Sequence, residues 1–141
     1  MKREKILVGW REWISLPLLG IPLIKTKIDT GARTSALHAF RVEYSEKQVN
    51  FDLHPIQHQT TSIISCVADV IDYRWVMDSG GHREQRYVIK TRLILDNRAW
   101  PIEITLTNRD DMRFRMLLGR TAIRKRLIVD PSASFLLGHS S

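Results

Sequence analysis

Asp29, Thr30 and Gly31 stand together directly after an alternating apolar run, Ile21 to Ile28. A carboxylate carried on a loop can take or give a proton, so this tripeptide could do acid–base chemistry. Ile24, Thr26 and Ile28 share one parity and Lys25 and Lys27 the other, so the run reads as a strand that delivers Asp29 to a loop. Gly31 is expected to supply backbone angles closed to other residues. Thr30 offers a hydroxyl beside the carboxylate. Asp-x-Gly is also ordinary turn sequence, so the tripeptide alone leaves both readings open.

Hydrolysis by carboxylates needs a pair. Two close carboxylates share one proton because both cannot ionise cheaply. The charged one takes a proton from water while the protonated one hydrogen-bonds the scissile carbonyl. The chain has a single Asp-Thr-Gly; Asp69, Asp72, Asp96, Asp110, Asp111 and Asp130 lack a following Thr/Ser-Gly, and Asp78-Ser79-Gly80 is the near match. Asp78 follows no strand-like apolar parity and lies in a polar hairpin, so it is assigned to the hairpin tip. The second carboxylate must then be Asp29 of another copy, which predicts a twofold homodimer with the site on its axis.

The elements that would position these residues are mostly short strands. Ala36, His38, Phe40, Val42 and Tyr44 share one face of a predicted strand, and Val49, Phe51 and Leu53 one face of the next. Ile63 to Ile71 is apolar on both faces and reads as a central strand. Tyr87, Ile89, Thr91, Leu93 and Leu95 make the longest alternation. Asp96-Asn97-Arg98 reads as a turn, and Ile102, Ile104 and Leu106 as the returning strand. Gly119 to Arg126 is the one predicted helix. This pattern predicts an all-β barrel or sandwich with a single late helix. Between Ile71 and Tyr87 a polar hairpin carries Trp75, Val76 and Met77 and turns at Asp78-Ser79-Gly80-Gly81. It is either a plain exposed hairpin or a lid whose apolar arm covers a substrate.

The 141 residues, 43% apolar and 26% charged, fit one soluble globular domain over 1–141. No apolar run is long enough to span a membrane. The start is too short in apolar residues for a secretory signal, so a cytoplasmic location is expected. The single Cys66 cannot form an internal disulfide and sits in an apolar run, where a buried, inert thiol is expected. The net charge of +7 favours acidic partners. Arg120, Arg124, Lys125 and Arg126 form the densest basic group; a solvated helix face explains them as well as a phosphate site does.

Taken in order, Asp29-Thr30-Gly31-Ala32, the glycine-tipped hairpin and Met116-Leu117-Leu118-Gly119-Arg120 before a short helix resemble retropepsins, the single-lobe aspartic proteases of retroviral type. The likeness is closer to a bacterial subgroup, through Trp10-Arg11-Glu12-Trp13, the stretch Lys27 to Ala39, Gly81 to Arg86, and Leu117 to Arg120. The resemblance covers nearly the whole chain. It implies a closed β-barrel, a catalytic Asp29 with Thr30 and Gly31, and Leu117, Leu118 and Gly119 packed beneath it. It also implies a flap from Trp75 to Gly81. Ala32, Arg33, Trp75, Met77, Gly80, Gly81 and Arg120 are then the expected substrate contacts. Viral retropepsins carry an Asp where this chain has Arg33, and pair it with the Arg equivalent to Arg120. Two arginines cannot form that pair, so either a further carboxylate bridges them or Arg33 faces the cleft. With Arg83 and Arg86 near the flap, a cationic cleft and an acidic substrate are expected.

Members of that subgroup are often labelled ATP-dependent zinc proteases, and some are encoded beside ATP-grasp ligases that add glutamate to proteins. A glutamylated substrate and an ATP-grasp partner are therefore expectations from the resemblance. The zinc and ATP label finds no ligands in this sequence: there is no His-Glu-x-x-His and no phosphate-binding glycine loop. His54 and His58 are four apart but follow a strand pattern and flank Pro55; His38 reads as a core histidine, His82 as a flap residue and His139 as a tail residue. No metal and no cofactor are expected. Nucleic acid is the less favoured partner. A binding module that uses the same cleft without hydrolysis is the competing reading.

Overall fold

Strand alternation buries one parity of almost every predicted run, and the buried parities meet in one core. The computed structural model describes residues 4–55, 62–78, 80–109 and 112–138. Its strands are β1 (Ile6–Gly9), β2 (Arg11–Leu16), β3 (Ile21–Ile28), β4 (Ser35–His38), β5 (Phe40–Ser45), β6 (Gln48–Leu53), β7 (Ile64–Met77), β8 (Arg83–Leu95), β9 (Arg98–Thr107), β10 (Met116–Leu118) and β11 (Leu127–Asp130), with one helix, α1 (Arg120–Ile123). β1 and β11 pair in parallel; the other nine form a sheet in the order β2-β3-β10-β4-β9-β8-β7-β6-β5. Ile14, Ile24, Leu37, Ile89, Leu93, Ile104, Met116 and Leu118 are fully buried in its core.

The fold is all-β with one short helix, as the sequence predicts. A closed barrel is more than the ladders give: a single bridge, Ser15 with Ile94, joins β2 to β8. The helix is a single turn rather than Gly119 to Arg126, because the chain turns back at Lys125, in the left-handed region at φ 67°, to enter β11. The strand predicted through Ala36 and Tyr44 is two strands. β4 lies between β10 and β9, whereas β5 lies at the sheet edge beside β6. Arg41 at φ 51° breaks the alternation between them, so Tyr44 is exposed. Ile63 to Ile71 is not buried on both faces either. β7 sits between β6 and β8, but among the described residues nothing covers its outer side, leaving Ile63, Val67 and Ile71 about half exposed.

One feature of the topology positions the candidate site. β10 runs between β3 and β4, parallel to the first and antiparallel to the second. In register, Lys27, Leu117, Ala36, Thr105, Val88 and Asp72 form a row across six strands, on one face of the sheet. The Trp10-x-x-Trp13 segment braces the same region. Buried Glu12 accepts hydrogen bonds from the backbone N–H groups of Gly9 (2.7 Å), Leu136 (2.9 Å) and Leu137 (3.3 Å). Trp13 stacks on Phe135, Trp10 meets Phe114 edge-on, and Ile28 N–H donates to the Trp10 carbonyl just before Asp29.

Candidate active site

Asp29 leaves β3 on a loop whose backbone is tied to β10 and α1. Its N–H donates to the Leu118 carbonyl at 2.8 Å, and Ala32 N–H closes the turn onto the Asp29 carbonyl at 3.2 Å. Arg120 N–H donates to Ala32 O and Thr121 N–H to Arg33 O. These bonds hold both ends of the loop while leaving its tip half-buried to exposed. Leu117, Leu118 and Gly119 thus lie directly beside Asp29. Gly119 is required by a close approach: a Cβ there would stand 2.5 Å from the Thr34 carbonyl carbon. Its N–H also donates to the buried Ser35 hydroxyl at 3.1 Å.

The Asp29 carboxylate accepts the Gly31 N–H at 3.0 Å. Among the described residues it takes no other side-chain hydrogen bond. The role expected of Gly31 changes in the structure. Its φ is outside the left-handed region; what glycine supplies is room, since a Cβ would lie 3.3 Å from Asp29 Oδ1. Thr30 is exposed, and its carbonyl accepts the Arg120 guanidinium at 3.2 Å. Arg33 and Arg120 are both exposed, and among the described residues no carboxylate bridges them.

The hairpin of β7 and β8 lies away from this loop within one chain's strand order, three strands from β10. Trp75 and Met77 are 59% and 61% exposed, so within a single chain they cover nothing. Arg83 lies over the Trp75 ring at 5.1 Å. Gly80 and Gly81 are exposed at the tip; Ser79 lies outside the described residues. Asp78 is an anchor of this tip. Its Oδ1 accepts Gly80 and His82 N–H groups, both at 2.9 Å, and its Oδ2 accepts the Arg109 guanidinium at 2.6 Å. Partial burial alone would push its pKa up, but the two backbone donors and the Arg109 charge outweigh that and hold it below the ordinary 3.8.

A buried polar chain connects the base of the hairpin to the floor of the loop. Glu84 accepts the Arg86 Nε–H at 2.6 Å and the Thr107 hydroxyl; Arg86 also donates to the Thr105 hydroxyl, which donates to the Ser35 carbonyl. Burial again opposes ionisation of Glu84, and the Thr107 and Arg86 hydrogen bonds override it and lower its pKa from 4.5. None of these partners follows from spacing in the sequence. The strand parity of Glu84, Arg86, Thr105 and Thr107 was the only available sign.

The remaining candidates fall elsewhere. His38 is buried and its Nδ1 accepts the Arg109 N–H. His54 stacks on Phe40 and bonds the Ser62 carbonyl, whereas His58, His139, Asp110 and Asp111 lie outside the described residues. Among the described residues no three His, Cys, Asp or Glu side chains gather as a metal site would require. Cys66 is buried with its thiol on the Leu19 carbonyl; burial, helped by the Asp52 charge, pushes it up to about 11. No described helix is long and apolar enough to cross a membrane. The larger cavity, about 1000 Å³, does not include Asp29; Lys5, Arg98, Trp100, Arg124 and Arg126 are among the residues that line it.

This geometry can be set beside known proteins. The RimB-like family, described as retropepsin-like aspartic endopeptidase RimB, matches residues 7–139. Proteins named "Probable alpha-L-glutamate ligase" from Shewanella pealeana and Parasynechococcus marenigrum are 45% and 46% identical to this chain over 98% and 96% of its length. The chain spans only 31% and 30% of those relatives, about a third of each. A Legionella pneumophila protein of unknown function, Lpg0085, has the same fold, with a TM-score of 0.77 at 24% identity over 95% of this chain and 99% of that one. With a match that runs through the Asp29 loop, β10 and the closing strand β11, the chain belongs to the RimB-like family of retropepsin-like aspartic endopeptidases.

Proposed function

We propose that residues 1–141, as one retropepsin-like domain, act as an aspartic endopeptidase in a homodimer. The observation that carries this reading is the Asp29 loop. Its backbone is tied down at both ends, yet its carboxylate keeps one oxygen free of protein donors among the described residues. Two such carboxylates face to face would share a proton, one activating water and the other polarising the scissile carbonyl. Thr30 would brace the paired loops, and Gly31 and Ala32 would border the cleft. Trp75 to Gly81 would close over the substrate, burying the indole and thioether that a single chain leaves in water. A half-site needs no enclosed cavity around Asp29, in keeping with the larger cavity lying elsewhere.

The exposed Arg33, Arg83 and Arg120 favour an acidic substrate, such as a protein extended with glutamate, whereas Arg86 is buried on Glu84 and is already neutralised. The relatives named as glutamate ligases support that choice. The reaction draws on no metal and no nucleotide in this reading. Light scattering at the concentration used for cleavage tests the paired mechanism. A dimer that cleaves Glu-rich peptides faster than neutral ones at low salt is expected. A strict monomer that cleaves equally well contradicts it.

A second reading also has an observation behind it, since the matched relatives are about three times longer and are named as ligases. In that reading the domain binds and presents a glutamylated substrate to an ATP-grasp partner without hydrolysis. Asp29→Asn would then leave a stable complex with the ligase, and the biological activity, unchanged.

A further inference from the structure

Two arginines on the sheet are almost wholly buried, and they differ in how their charge is met. Arg86, 6% exposed, has the Glu84 carboxylate at 2.6 Å and the Thr105 hydroxyl at 3.2 Å. Arg115 is 8% exposed, its Nε is enclosed without a hydrogen-bond partner, and among the described residues no carboxylate forms an ion pair with it. Taking a guanidinium out of water without a counter-charge is costly, and buried charges in folded proteins are met by a partner. Nothing described in this chain meets Arg115.

Its place on the sheet says what could. The Arg115 carbonyl accepts the His38 N–H at 2.8 Å, where the β10–β4 ladder begins at Met116↔Leu37. Arg115 sits at the bend that leads into β10, next to the core residue Met116 and two residues before Leu117. Leu117 is half-buried while both its neighbours are fully buried, so its face of β10 is less covered than the core face at that residue. Leu117 is in register with Lys27, the residue two before Asp29, and the next residue, Leu118, holds the Asp29 N–H. Arg115 is three residues from that contact, at most roughly 10 Å of chain. An arginine and a glutamate side chain together bridge that span.

We propose that Arg115 is the specificity-determining residue of the cleft, taking the side-chain carboxylate of a glutamate next to the cleaved bond. The guanidinium fork matches a carboxylate in two parallel hydrogen bonds, and a buried setting strengthens them. The other buried arginine, Arg86, does not serve in this way, because Glu84 already neutralises it. This assignment rests on the acidic-peptide reading above.

The test uses Asp29→Asn protein, which holds peptide without turnover, titrated at fixed salt with hexaglutamate and with hexaglutamine. Arg115→Met, close in shape and uncharged, is expected to weaken hexaglutamate by about thirtyfold or more. Hexaglutamine should not respond. Lys90→Gln removes an exposed charge of the same sign away from the cleft and is expected to weaken hexaglutamate by no more than about fivefold. Equal loss in the two variants would reduce the effect to net charge and overturn the assignment. If hexaglutamate binds Arg115→Met as it binds the parent, Arg115 is not the contact, while the acidic-peptide reading stands. If the parent prefers neither peptide, that reading falls and the assignment with it. Should Arg115→Met fail to fold, the Nε–H resonance of Arg115 in the parent decides. It must shift with hexaglutamate and not with hexaglutamine, and an unmoved resonance overturns the proposal.

Discussion

Asp29-Thr30-Gly31 and Asp78-Ser79-Gly80 share a sequence pattern and a first hydrogen bond, and then diverge. In each, the glycine N–H donates to the aspartate two residues before it, at 3.0 Å in the first and 2.9 Å in the second. In each, a Cβ on that glycine would come within 3.3 or 3.4 Å of the carboxylate oxygen. The surroundings make the difference. Asp78 spends both oxygens on His82 N–H, Gly80 N–H and Arg109, and its pKa is driven down. Asp29 has its backbone on Leu118 and its second oxygen open. A turn motif supplies the first bond; the strand packed under it decides whether the carboxylate is an anchor or a group left open for chemistry.

The support under Asp29 is the strongest place to break the comparison. Gly119→Ala would put a methyl into the Thr34 backbone, which cannot yield as a side chain tip could. A stability loss of about 3 kcal/mol is expected in thermal or urea melts. Activity should fall further than that loss explains, with hydrogen exchange at His82 unaltered. Unchanged activity would mean that the floor of the loop does not set its geometry. Glu12→Ala tests the outer brace. It strands three backbone donors, and a loss of about 3 kcal/mol is expected.

The Asp78 loop should respond to different variables. Arg109→Gln is expected to speed hydrogen exchange at Gly80 and His82 several-fold, leaving the amide of Asp29 protected by Leu118. Acid acts in the same direction. Asp78 and Glu84 have folded-state pKa values below their ordinary 3.8 and 4.5, so each contributes stability that is complete above those values. The contribution is lost as pH falls through the lower folded values. Asp78→Asn should therefore flatten the acid limb of a stability-versus-pH curve, and an unaltered limb would contradict the anchor role. The smallest effects come from the glycines. Gly31→Ala and Gly80→Ala should each cost under about 1 kcal/mol. Only Gly31→Ala should slow cleavage.

The sequence carried the parts of this account that are local. Apolar parity through Ile28 ended where the loop begins, where the Asp29 N–H meets the Leu118 carbonyl. It did not carry the parts that depend on strands far apart in the chain. Glu12 carries no mark in the sequence beyond its place between two tryptophans, yet it gathers backbone donors from residues 136 and 137, more than a hundred positions away. Arg115 sat in an arginine-rich loop with no pattern of its own until the His38 bond placed it at the head of β10. Parity also misread Ile63 to Ile71, because burial of a strand's second face depends on what packs over it, and there no described residue does. The helix was overread for a related reason: Ile123 and Leu127 are both buried, but on a turn and a strand rather than on successive helical turns.

The claim that the two loops do different work reduces to one experiment. Wild type, Asp29→Asn and Asp78→Asn are compared for initial rate on a Glu-rich peptide, with folding of each checked by its melting curve. Asp29→Asn is expected to lose at least about a thousandfold in rate with its fold intact. Asp78→Asn should keep most of its rate. Cleavage by Asp29→Asn at the wild-type rate, or an equal loss in both variants, would contradict the account.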